Sequence, residues 1–268
     1  MQYKHITRSV ILGILTTVFI VVFPGASQAD PLVLRGYDLF VTDPDASKVN
    51  LGPAGIQPFK GVPLGTFDFG NGPVNTFNAD TIVQRLGDAS PASPTISLQV
   101  VAMQFMSVNQ FNLGGGNDFH FITLQSSRGG PASLGLMTIT FGPEGTPHGT
   151  FDSTLSIFFD IRVGSLDGPI VFSGSKTISA FNVPWTHFPP DGAVLIPGVN
   201  FLLNGQNSLN DFFPIGAVMH VNPDGSMHTV RTADVPEPTT ISLLAMGIAG
   251  LAARVHRRRK QARIGRAK

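Results

Sequence analysis

The chain has 268 residues, 42% of them hydrophobic, which is enough apolar material for a sizeable core and excludes global disorder. It has no cysteine, which removes disulfide frameworks, thiol redox chemistry, a cysteine nucleophile and Cys-ligated zinc or iron–sulfur sites. The formal net charge of +1 conceals segments of opposite sign: residues 30–235 carry sixteen acidic and eight basic side chains, a net −8, whereas the stretch from Pro236 onward carries eight basic residues and one acidic. The anionic body has no attraction for nucleic acid or anionic lipid.

In chain order, the first element is a secretory signal helix. Lys4 and Arg8 precede an apolar run from Val10 to Phe23, followed by small residues around Ser27-Gln28-Ala29. This pattern predicts a signal peptide over residues 1–29 with cleavage between Ala29 and Asp30. An uncleaved membrane helix is the alternative, and the apolar run is short for it.

The body, residues 30–232, reads as β structure. Strands are predicted for Leu32 to Val41, Phe119 to Gln125, Leu134 to Phe141, Pro169 to Phe172 and Ile215 to Val221. From Phe151 to Val163 apolar residues alternate with polar ones, with Phe158 as the one breach, so one face is buried and the other wet. Ile96, Leu98 and Val100 alternate too, and the phase then slips by one to Val101, Met103 and Phe105, as a β-bulge would allow. Only Asn78 to Leu86 has helical spacing, with Ile82, Val83 and Leu86 on one face and Thr81 and Gln84 placed for a capping box. Many short strands separated by Gly/Pro-rich loops predict a two-sheet antiparallel β-sandwich, jelly-roll-like, with one short helix.

Within the body, Asn222-Pro223-Asp224-Gly225 predicts a hairpin turn. If Pro223-Asp224-Gly225 is a three-residue loop, His220 faces His228, with Cβ atoms about 4.5 to 5.5 Å apart, close enough to share a metal or to repel when both are protonated. If Asp224-Gly225 alone is the loop, the two histidines fall on opposite faces; that register needs an N–H that Pro223 lacks. Asp43-Pro44-Asp45 and Asn117-Asp118 offer oxygen ligands to calcium without the ordered spacing of a calcium loop. Trp185 and His187, in the loop Trp185-Thr186-His187-Phe188, are the one place where aromatic and polar groups would converge on a glycan, and a packed loop is the favoured alternative there. No Gly-x-Ser-x-Gly, His-Glu-x-x-His or P-loop sequence occurs, so the body is read as non-enzymatic, with no cofactor.

At the C-terminus, residues 233–240 form a linker containing Val235-Pro236-Glu237-Pro238, whose prolines hold the backbone extended. An apolar segment, 241–255, predicts a short transmembrane helix, and Arg254, Arg257, Arg258, Arg259 and Lys260 lead into a basic cytoplasmic tail over 256–268. A nucleic-acid patch is the alternative for these arginines; directly after an apolar segment they read as a topology signal.

These three ordered features resemble the PEP-CTERM sorting signal of exported bacterial proteins. The resemblance implies recognition by an exosortase at Pro236-Glu237-Pro238 after transit through the general secretion machinery, with loss of helix and tail. It also implies a Gram-negative host, an inner-membrane intermediate, and a destination at the cell surface or extracellular matrix, where exopolysaccharide is a possible partner. The expected function is a structural or interaction component, with a glycan-binding module as the alternative.

Overall fold

In a computed structural model, residues 32–43, 47–114, 116–143, 146–201 and 210–235 are described. They form sixteen strands: β1 (Gly36–Thr42), β2 (Lys48–Asn50), β3 (Ile56–Gly61), β4 (Gly65–Asp68), β5 (Pro73–Phe77), β6 (Thr81–Arg85), β7 (Thr95–Ser107), β8 (Phe111–Asn112), β9 (Asn117–Asp118), β10 (His120–Leu124), β11 (Ser133–Phe141), β12 (His148–Val163), β13 (Ile170–Thr186), β14 (Phe213–Pro214), β15 (Val218–Val221) and β16 (Met227–Thr232). Among the described residues there is no α-helix, and no helix is long and apolar enough to cross a membrane. The expected signal helix and the 241–255 helix lie outside the described residues.

The strands close into an eight-stranded antiparallel barrel, which corrects the expected jelly-roll-like sandwich. Closure is made by β1 against β16, where Phe40, Val41 and Thr42 pair Thr232, Arg231 and Val230. One circuit runs β1-β6-β7-β11-β12-β13-β15-β16. A second runs from β7 through β3 and β2 to β16 on one side and through β10 to β12 on the other. Both circuits have eight strands: they share β7, β12, β13, β15 and β16, and β3, β2 and β10 take the places of β1, β6 and β11. Inward and outward residues alternate identically along a sandwich strand and a barrel strand, so periodicity could not separate the two; the long-range pairing of β1 with β16 does.

Bulges interrupt the ladders. The ladder of β6 and β7 shifts between Ile82 and Val83, leaving Val101 as the extra residue, which is the phase slip expected from the sequence. In β12, Phe151, Ser153, Leu155, Ile157, Phe159 and Ile161 are buried while Asp152 and Thr154 are exposed, as the alternation requires.

The predicted helix at Asn78 to Leu86 is instead β6. Ile82 joins an outer apolar cluster and Val83 the barrel interior, so this strand is apolar on both faces and mimics helical spacing. The β-branched run Thr81-Ile82-Val83 favours the strand. The interior cluster includes Phe59, Val100, Phe105, Ile122, Phe159 and Trp185. The outer cluster lies where the β4–β5 hairpin covers Leu39, Ile82 and Ala102 on the outside of the barrel.

Candidate ligand groove and sorting motif

The β15–β16 hairpin has the first of the two registers. Asn222 N donates to Ser226 O at 2.9 Å, Gly225 N donates to Asn222 O at 3.0 Å, and Gly225 takes φ 88°, a left-handed conformation suited to glycine. His220 therefore pairs His228, with ring centroids 6.3 Å apart and planes 27° apart. Thr42 Oγ1 spends its single proton on Asp80 Oδ1 at 2.7 Å, so His228 Nε2, 3.1 Å away, must be the donor to Thr42. Asp80 also accepts from Thr42 N at 2.7 Å and Thr81 Oγ1 at 2.8 Å.

Burial pulls the pKa of His220 down to about 4, and burial plus repulsion from His220 pulls His228 down to about 3. Burial raises Asp80 to about 6 against its three hydrogen bonds. The pair supplies two ligands, and no group of three or more His, Cys, Asp or Glu side chains placed to hold a metal occurs among the described residues. Of the calcium candidates, Pro44 and Asp45 lie outside the described residues, and Asp118 accepts from Phe119 N at 2.7 Å.

Trp185 and His187 are core residues, in keeping with a packed loop rather than a glycan platform. Trp185 is 1% exposed, stacked on Phe212 at 5.4 Å and edge-on to Phe141 at 5.7 Å, and its Nε1 donates to Thr150 O at 3.2 Å. His187 is 2% exposed, its Nδ1 is 2.5 Å from Asp211 O, and burial lowers its pKa. A sugar needs an open aromatic face, and these faces are covered. Beside them lies a buried ion pair that single-sequence reading had no means to assemble. Arg85 Nε donates to Asp38 Oδ2 at 3.1 Å, with the guanidinium 5.3 Å from the Phe212 ring centroid. Desolvation outweighs Arg85 and raises the Asp38 pKa.

An open polar site lies on the outside of the barrel. Gln104 of β7, Thr123 of β10 and Arg162 of β12 share the outer face of adjacent strands, and with Phe67 of β4, Arg128 and Asp167 they line a groove of about 440 Å³. This volume is in the range of about 300 to 1,000 Å³ usual for ligand sites. Arg128 holds Asp160 through Nε and through Nη2, the latter at 2.9 Å from Oδ1, and this contact keeps the Asp160 carboxyl below the usual range. Arg162 donates from Nε to Thr123 Oγ1 at 3.2 Å and from Nη1 to Gly168 O at 3.0 Å.

Past β16 the chain stays attached to the barrel. Ala233 N donates to Leu39 O and Val235 N to Gly192 O, both at 2.8 Å, while Asp234 binds Asn78 and Arg231. The folded unit therefore reaches Val235 rather than ending at 232. A family model described as the PEP-CTERM protein-sorting motif matches residues 234–259. The chain carries a PEP-CTERM sorting motif.

It follows that this is an exported protein sorted through an exosortase. The PEP-CTERM match begins at Asp234, inside the bonded segment, and covers Pro236, Glu237, Pro238 and the basic residues Arg254, Arg257, Arg258 and Arg259. Beyond Val235 the motif lies outside the described residues, as do Ala29, Asp30 and Lys260. No curated protein and no solved structure matches the chain. The groove residues were invisible to sequence reading because Gln104, Thr123 and Arg162 look like any wet strand face until the β4–β5 hairpin is seen beside them.

Proposed function

We propose that the mature PEP-CTERM protein is a non-enzymatic interaction component of the cell surface or extracellular matrix. The observation that carries this reading is the attachment of residues 233–235 to the barrel. A cut within or after Pro236-Glu237-Pro238 leaves every strand pairing of the barrel intact, so the exported product is a closed, folded domain with net charge near −8. Such a charge favours solubility outside the cell. The glycan-binding alternative loses Trp185 and His187 and has to rest on another part of the surface.

The test follows the size and location of the wild-type protein and of a Pro236→Ala, Glu237→Ala variant in the native host. The expected wild-type product lacks residues 1–29 and the tail and is recovered outside the inner membrane, whereas the variant keeps its tail and stays membrane-bound. Identical processing and location of the two would overturn the reading.

A further inference from the structure

We infer that the outer groove between the β4–β5 hairpin and the β7–β10–β12 face is a saccharide-binding site. The inference rests on the surface-interaction reading and names its ligand class. Three properties of the groove point to a sugar rather than to another ligand.

The first is its mixture of donors and acceptors that the protein itself does not use. Among the described residues, the Gln104 amide, Thr66 Oγ1 and the Asp167 carboxylate have no protein hydrogen-bond partner, and Arg162 leaves Nη2 unspent. Thr123 Oγ1 accepts from Arg162 and keeps its own proton to donate. A hydroxyl, which gives one hydrogen bond and accepts two, suits this mixed array, whereas a purely anionic group would use only the donors.

The second is charge. Arg128 and Arg162 line the groove together with Asp167, and the charge of Arg128 is matched by Asp160, which is buried and outside the lining, so no surplus of cations remains. A polyphosphate or polyanion site would show a surplus of cations. The third is the apolar border. Phe67 is held edge-to-face against Phe69, with centroids 4.9 Å apart, and Leu64 and Leu166 continue the apolar lining, which matches the C–H faces of a pyranose.

The test uses the full chain in detergent, so that it does not depend on sorting. An array of neutral and uronate-bearing glycans is probed first. Titrations with cellohexaose, an oligogalacturonate and polyphosphate follow, for wild type, Phe67→Ala and Gln104→Ala, with thermal midpoints measured in parallel. Binding of at least one glycan, weakened about tenfold by each substitution, is the expected result. If Phe67→Ala proves unstable, Gln104→Ala decides the matter. The inference is overturned if no glycan binds at millimolar concentration, if both variants bind as wild type does, or if polyphosphate is preferred to every glycan. A blank array with normal export removes the groove proposal alone, and failed export with a positive array removes only the surface reading.

Discussion

His220 and His228 face each other across the β15–β16 ladder, 6.3 Å between ring centroids, with His228 bonded to Thr42 and Thr42 to Asp80. Burial and mutual repulsion favour the neutral form of both imidazoles, and this is one contribution to the acid response of the barrel.

Both histidines have folded-state pKa values below their ordinary 6.5, so between about pH 4 and 6.5 the unfolded chain binds more protons. Their contribution to stability is complete above pH 6.5 and declines as the pH falls, by ~1.4 kcal/mol per pH unit for each histidine. Asp80, raised from 3.8 to about 6, acts in the opposite sense, since its contribution is present below 3.8 and lost as the pH rises to 6. Asp38, also raised, adds to that opposition. The expected outcome is therefore a difference: urea midpoints of a His220→Gln, His228→Gln variant fall less between pH 7 and pH 5 than those of wild type. Equal slopes would dismiss the histidine account.

A second prediction concerns Gly61. A Cβ there would stand 1.7 Å from Asp80 Oδ2, and the carboxylate cannot move without giving up Thr42 and Thr81. Gly61→Ala should lower stability by about 2 to 4 kcal/mol, measured by denaturant unfolding. Asp80→Ala placed in the same chain should recover part of that loss; strict additivity of the two changes would show that the clash is not the cause.

Trp185 is the only tryptophan of the chain, which makes its burial directly measurable. Its fluorescence should be blue-shifted, insensitive to iodide, and red-shifted on unfolding. Trp185→Ala should cost about 3 to 5 kcal/mol. Quenching of the native protein by iodide would contradict the core assignment.

The Arg85–Asp38 pair predicts an asymmetry. Arg85→Met leaves the buried Asp38 carboxyl without its partner, which should cost about 3 to 5 kcal/mol. Asp38→Leu combined with Arg85→Met should be less harmful than Arg85→Met alone, since no unpartnered buried carboxyl remains. Unfolding free energies of wild type and the two variants check this, and a double variant worse than the single would refute it.

Much of the local structure was legible from residue order. The alternation from Phe151 to Val163, the bulge near Val101 and the His220–His228 register each follow from contacts a few residues or one turn away, where side-chain period and turn chemistry suffice. The helix assigned to Asn78 to Leu86 failed because the burial of Ile82 and Val83 on opposite faces depends on two separate clusters that no local window contains. At Trp185 residue order left two readings open for a related reason: whether an aromatic residue is a platform or a core side chain depends on what lies above it, here Phe212 and Phe141.

What the sequence by itself determined is the exported character of the chain, because sorting signals are read as short linear peptides and need no tertiary context: Pro236-Glu237-Pro238 and the basic residues after it were sufficient. Only the tertiary structure decided that the body is a barrel. It also decided that Asp38, Asp80, His220 and His228 are interior, and that the polar groove is on the outside. Each of these depends on pairings between segments far apart in the chain, such as Phe40 with Thr232 and Thr42 with Asp80, and such pairings leave no periodic trace in either segment alone.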